Sequence, residues 1–232
     1  MDAIGDLVAR ERRSERLAVR TPATDRALDY HDFCTTAWKA GNFLRYLGVG
    51  RDALVAVAPD PLPEPVLTFF GAAQLGAVTR FEPVTDGSAR AVVVGRDREA
   101  EFDLPPESKL AVYGGEPSSP TVTHWEGSVW SENPAFPPTD VSPDAAALTT
   151  GDETYSHADL LSTAGSVAST LGLRPTDTLR VEASLSEPRA VAGGLLAALL
   201  VGGTVSLATD DSGRVVVADD ESRRLTLADV PL

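Results

Sequence analysis

The stretch Asp144–Leu173, DAAALTTGDETYSHADLLSTAGSVASTLGL, decides how the chain is built. Its apolar residues Ala145 to Leu148 make a short strand, Thr149, Thr150 and Gly151 make a hydroxyl and glycine turn, and an amphipathic helix follows after Tyr155. Strand, glycine turn and helix in that order are where an α/β protein places a phosphate loop, because free backbone N–H groups and a helix N-terminus meet there. Thr149, Thr150 and Gly151 are therefore the candidate cofactor-binding residues. Beside them stand Asp152 and Glu153, two carboxylates that a bound polyphosphate would have to face. Ser156 and Asp159 have capping-box spacing for a helix from Ala158 to Leu171, with Asp in place of the usual Glu or Gln.

Working back from this stretch, the same pattern occurs earlier. Tyr30 answers to Tyr155, Leu47 and Gly48 to Leu171 and Gly172, Asp52 to Asp177, and Glu64 and Pro65 to Glu187 and Pro188. The helical apolar positions also correspond, Phe33, Ala37, Ala40 and Leu44 against Leu160, Ala164, Val167 and Leu171. In the first copy, strands are expected at Leu17 to Thr21 and Ala27 to Tyr30 around the turn Pro22 to Arg26, then a helix from His31 to Leu47 stopped by Gly48 and Gly50. A strand at Ala53 to Ala58, an apolar helix from Pro61 to about Gly76 and a strand at Ala77 to Phe81 imply a right-handed parallel crossover. Ala91 to Gly95 and Leu110 to Tyr113 add buried strands. Gly114 to Pro143, rich in Pro, Ser and Gly, reads as a linker with a short helix near Trp125 to Trp130. The second copy continues into strands at Leu179 to Val181, Thr204 to Ala208 and Val215 to Ala218. The expected fold class is α/β, with two related lobes of largely parallel sheets flanked by helices: a first lobe over 1–140, opened by a charged, loosely packed helix at Asp2 to Arg16, and a second over 141–232.

Composition narrows the function classes. Acidic residues outnumber basic ones by 34 to 20 in 232 residues, a net charge of −14, which argues against nucleic acid and disfavours anionic membrane surfaces, so neither is expected as a partner. Only Lys39 and Lys109 are lysines; the remaining basic residues are arginines. Carboxylate excess with so little lysine fits a salt-rich cytoplasm, where a Debye length of ~3 Å at 1 M screens self-repulsion, and arginine-rich coding is the alternative. Cys34, inside a helical pattern, is the single cysteine, so no internal disulfide forms and an intracellular compartment fits. No apolar signal segment opens the chain. Ala190 to Thr209 has no charged residue, but four glycines break it, and a buried helix followed by a strand accounts for it better than a membrane span.

The histidines, His31, His124 and His157, lack metal-ligand spacing, so no metal site is expected. His157 between Ser156 and Asp159 is not a triad, since neighbours on one helical turn cannot line up as nucleophile, base and orienter. No catalytic residue is assigned.

The block from Leu28 to Val78, LDYHDFCTTAWKAGNFLRYLGVGRDALVAVAPDPLPEPVLTFFGAAQLGAV, resembles the opening of the adenylate-forming acyl-CoA and acetyl-CoA synthetases, and the likeness continues through AVVVG to DAAALTTG, the lead-in to that family's phosphate loop. The resemblance implies an acyl-CoA synthetase N-terminal-domain-like fold. It also implies the family's chemistry: ATP and a carboxylic acid form an acyl-adenylate, and the acyl group then passes to coenzyme A. It further implies a Ser/Thr/Gly loop ending in Pro-Lys-Gly, of which only Thr149, Thr150 and Gly151 are present. A like-charge pair at 4 Å costs ~1 kcal/mol in water and ~4 kcal/mol at an effective dielectric of 20, so Asp152 and Glu153 oppose a triphosphate. The family's adenine-gripping segment, ribose-binding aspartate and catalytic lysine have no counterpart before Leu232. The expectation is a shortened, non-catalytic relative acting as a binding or interaction module, with weak AMP, ATP or coenzyme A binding and no certain cofactor. Its alternatives are an AMP-forming ligase component that needs a partner chain for the missing half, and a homo-oligomeric tandem α/β module.

Overall fold

The computed structural model describes residues 1–135, 139–208 and 212–232. Every strand expected from an apolar run forms. In chain order the first pass is β1 (Leu17–Thr21), β2 (Arg26–Asp29), α1 (Tyr30–Tyr46), β3 (Leu54–Val57), α2 (Pro63–Gln74), β4 (Val78–Arg80) and β5 (Ala91–Gly95). Then come β6 (Lys109–Tyr113), β7 (Thr123–His124) and α3 (Trp125–Ser131). The second pass is β8 (Ala146–Thr149), β9 (Thr154–Ser156), α4 (His157–Thr170) and β10 (Thr178–Glu182). A continuous helical run follows, α5 (Pro188–Ala190), a π-helical turn (Val191–Leu196) and α6 (Ala197–Leu200), before β11 (Thr204–Leu207) and β12 (Arg214–Val217). β13 (Asp220–Thr226) closes the second sheet at its edge.

The strands form a seven-stranded sheet, β7-β6-β5-β3-β4-β8-β9, and a six-stranded sheet, β13-β12-β10-β11-β1-β2. The first is parallel except for β9, and the second is mixed. The sheets do not follow the 140/141 boundary. Hairpin β1–β2 leaves the first pass to lie beside β11, with Val19 opposite Val205, and hairpin β8–β9 crosses the other way to lie beside β4, with Thr79 opposite Leu148. Each hairpin is joined directly to its helix, so placing the helix against the shared core carries the hairpin to the other sheet. The main apolar core includes Phe33, Phe70, Leu148, Leu160 and Leu196, and a smaller one gathers Ala56, Ala58, Val92, Val94, Leu110 and Val112 of β3, β5 and β6 and the residues beside them. Phe33 and Phe70 meet edge to face across α1 and α2 with centroids 5.1 Å apart, a pairing stabilising by ~1 kcal/mol beyond its area.

Local chemistry sets the helix ends. Asp29 caps α1 by accepting the Asp32 N–H at 2.7 Å. The Ser156–Asp159 capping box forms as expected: Ser156 Oγ accepts from Asp159 N–H at 3.1 Å, and Asp159 accepts from Ser156 N–H at 2.9 Å. The helical run from Pro188 needs glycine at Gly194, where a Cβ would lie 2.7 Å from the Val181 side chain of β10. This run and β11 account for the charge-free segment, whose last residue, Thr209, lies outside the described residues. Among the described residues no helix is long and apolar enough to cross a membrane.

Three expectations change. The N-terminal segment is not a loose charged helix but two 3-10 turns, Ile4–Val8 and Arg10–Arg12, with Ile4, Leu7 and Val8 fully buried. Polar partners in the helices fix it: the Trp38 indole N–H donates to Val8 O at 2.8 Å, and Ile4 N–H donates to His157 Nδ1 at 3.1 Å. The Gly114 to Pro143 linker contains β7 as well as α3, and is tied to α1 by Lys39 donating to Trp130 O (2.9 Å) and by Asn42 donating to Asn133 O (2.9 Å) and Ala135 O (3.0 Å), and to the loop before β3 by Arg51 donating to Asp140 O (2.5 Å). Residues 136–138 of that stretch lie outside the described residues. Finally, β9 precedes α4 where only a turn was expected, because Thr154–Ser156 pairs back on β8.

One ion pair with a buried carboxylate joins the exchanged hairpin to α2. Glu64, on the first turn of α2 and 1% exposed, receives both Arg26 amino groups, Nη1 at 3.0 Å and Nη2 at 2.5 Å. Arg26 stands on the exchanged hairpin, so the pair ties β2 to α2.

Candidate functional site

β4 and β8 run parallel side by side, so their carboxyl ends open at the same level. In α/β sheets that is where ligands bind, because loops can diverge there and leave a crevice. Here the crevice is a cleft of about 370 Å³ lined by Arg80, Phe81, Glu82 and Pro83 after β4, Thr149 and Thr150 after β8, Pro59 after β3, and Ser186 beyond β10 of the other sheet. The volume is within the range of small-molecule sites. A larger hollow of about 600 Å³ lies at the carboxyl end of α2 against the N-terminal turns, away from these strand ends.

The three predicted residues are close together but turned to one another. Thr150 N–H and Thr149 Oγ1 both donate to Glu153 O, at 3.0 and 2.8 Å. Gly151 N–H donates to Thr149 Oγ1 at 3.1 Å, and Glu153 N–H to Thr150 Oγ1 at 3.1 Å. These bonds close a tight β8–β9 turn with Gly151 at φ +99°, a left-handed conformation that favours glycine. The Thr150, Gly151 and Glu153 amides are thus engaged within the hairpin. Thr149 and Thr150 line the cleft, and Gly151 does not.

Asp152 and Glu153 do not line the cleft. Asp152 is exposed, and the Glu153 carboxylate accepts the Tyr155 hydroxyl at 2.7 Å, which raises the Tyr155 pKa. Paired with Glu82, the cation at the cleft is Arg80. Its guanidinium lies against the backbone of Gly151, where a Cβ would stand 3.1 Å from Nη1. Arg80 Nε donates to Glu82 Oε2 at 3.0 Å, and Nη2 donates to the same oxygen. Sequence reasoning missed Arg80, a lone basic residue at the end of an apolar strand that carries no signal of its own.

Other reactive side chains are engaged elsewhere. Ser156 Oγ donates to Asp159 Oδ2 at 2.6 Å, while the His157 ring turns inward to Ile4. Asp29, His31 and Asp32 come close enough to share an ion, yet Asp29 is the α1 cap and the Arg13 guanidinium sits on the His31 ring. Cys34 is buried, and burial pushes its thiol up to about 11.

No family model matches the sequence, and no curated protein matches it. Solved structures do. The anthranilate CoA ligase AuaEII in complex with anthranoyl-AMP is 21% identical, with a TM-score of 0.77 over 89% of this chain and 45% of its own. The fold is that of the N-terminal domain of acyl- and aryl-CoA ligases. The inhibitor-bound N-terminal domain of FACL13 from Mycobacterium tuberculosis is 21% identical, with a TM-score of 0.73 over 92% of this chain and 58% of its own. A benzoate CoA ligase from Burkholderia xenovorans LB400 is 22% identical, with a TM-score of 0.72 over 90% of this chain and 46% of its own. The chain spans about half the length of the structures it matches.

Proposed function

We propose that the chain is a non-catalytic binding module on the ligase N-terminal fold, taking an AMP-type ligand weakly in the cleft at the ends of β4 and β8. The observation that carries this reading is the self-bonded turn Thr149–Glu153, whose amides and hydroxyls satisfy each other rather than a triphosphate. Removing one preorganised donor from a site costs ~100 to 1000-fold in rate, and here most of a phosphate cradle is committed to a hairpin. A nucleotide ligand is supported by the neighbours, among them the ligase solved with anthranoyl-AMP and the ATP-bound MatB from Rhodopseudomonas palustris. Incubation with ATP, coenzyme A and acetate or benzoate is expected to release no pyrophosphate above a protein-free control. Turnover that tracks the purified chain would overturn the reading.

The second reading, a ligase component completed by a partner chain, is favoured by the half-length match alone. Co-purification with a second ligase-like chain, and pyrophosphate release only in its presence, would select it. We also propose that one α/β unit is used twice, since hairpin, helix, strand, helix, strand, strand recurs in the same order in both passes.

A further inference from the structure

We propose that Arg80 is the anion-recognition residue of the cleft, that its ligand is a phosphate monoester carrying an organic group, and that Glu82 is an internal competitor which the phosphate displaces. This rests on the binding reading above and adds which residue holds the ligand and what must move. The cation comes from β4, not from the β8–β9 turn, so the site does not depend on a phosphate loop.

Several observations converge on Arg80. The cleft is lined on the β4 side by Arg80 and Glu82, and on the β8 side by hydroxyls. Two nitrogens of Arg80, Nε and Nη2, share one oxygen of Glu82, while Nη1 lies over Gly151 and has no hydrogen-bond partner among the described residues. A guanidinium presents its donors as a planar fork that matches two phosphate oxygens, and one carboxylate oxygen does not fill that fork. Thr150 Oγ1 accepts from Glu153 N–H, which leaves its own proton to donate. Glu82 is 63% exposed, so its pairing with Arg80 is screened by water and easily exchanged. Pro59 and Pro83 give the cleft apolar walls beside the charged group, which suits an organic substituent better than a bare ion.

The test uses the full chain, wild type, Arg80→Gln, Arg80→Lys and Glu82→Gln, titrated with AMP and separately with inorganic phosphate by calorimetry at fixed high salt. Thermal melts check that each variant is folded. AMP is expected to bind wild type and to lose at least tenfold in affinity in Arg80→Gln. Arg80→Lys falls between, because charge is kept and the fork is lost. Glu82→Gln is expected to bind about three- to fivefold tighter, the competitor having gone. This gain is the signature, since a merely structural Arg80–Glu82 pair predicts no gain. Wild-type affinity in folded Arg80→Gln, or weaker binding in Glu82→Gln, overturns the assignment while leaving the binding reading intact. Inorganic phosphate binding as tightly as AMP overturns the organic-group requirement. Absence of saturable binding by either probe to wild type overturns both this assignment and the ligand reading beneath it.

Discussion

Lowering the pH from 7 to 5 should destabilise the fold through one residue, His157. Its ring is fully buried, its Nδ1 accepts the Ile4 N–H at 3.1 Å, and its Nε2 has no partner among the described residues. Burial pushes its pKa down from 6.5 to about 4, against a smaller upward pull from Asp6. The unfolded chain therefore takes up a proton near pH 6.5 that the folded chain refuses until about pH 4. Within that window the unfolded state binds more protons, so stability falls as pH falls, by about 1.4 kcal/mol per unit once below 6.5. Between pH 6.5 and 5 the expected loss is about 2 kcal/mol. Asp159, Asp177 and Glu182, held low by their hydrogen-bond and arginine partners, lose their contributions as pH falls through the ordinary carboxylate range and below it, so they touch only the lower edge of this window. Urea unfolding followed by tryptophan fluorescence, at both pH values in molar KCl, should show wild type losing about 2 kcal/mol more than His157→Asn. The asparagine keeps an acceptor for Ile4 and cannot titrate. Equal losses in the two proteins would refute the assignment of His157 as a buried neutral imidazole.

Arg26→Met strands the buried Glu64 carboxylate and should cost about 3 kcal/mol by urea unfolding, much of it recovered by adding Glu64→Gln; a loss under 1 kcal/mol would mean the pair contributes little. With a net charge of −14, the chain should melt at a higher temperature in molar KCl than in dilute buffer, and unchanged melting would remove the case for a salt-adapted surface.

Much of the architecture was legible because buried parallel strands are written as short unbroken apolar runs. Ala91–Gly95 is the plain case, an all-buried strand with the bounds that its letters suggest. α1 and α4 were equally plain, since Phe33, Ala37, Ala40, Leu44 and Leu160, Ala164, Val167, Leu171 all fall in the core. Edge strands left little trace. Thr154–Ser156 and Asp220–Thr226 are mostly polar and are held by ladder bonds to a neighbour that no local pattern announces. The N-terminal turns were misread for a similar reason: their conformation is set by Trp38 and His157, far away in sequence. At the candidate site, the turn at Thr149 and Thr150 was visible from its chemistry, but their hydrogen bonds to Gly151 and Glu153 were not. Arg80 was invisible because a single arginine carries no pattern until the fold brings β8 beside β4.

The crossed hairpins have a consequence for how the molecule can be made. β1 finds its parallel neighbour only in β11, so a nascent chain must be synthesised past Leu207 before its first strand can be covered on that side. Until then, Val19 and Ala18, both buried in the finished protein, have no sheet to join. Pairings that join such distant parts of the chain slow folding, and in a chain of this length a partly folded intermediate with β1 still uncovered on that side is expected. Cutting the gene at residue 140 would yield two pieces that each lack a hairpin, and mixing them should restore structure that neither holds alone.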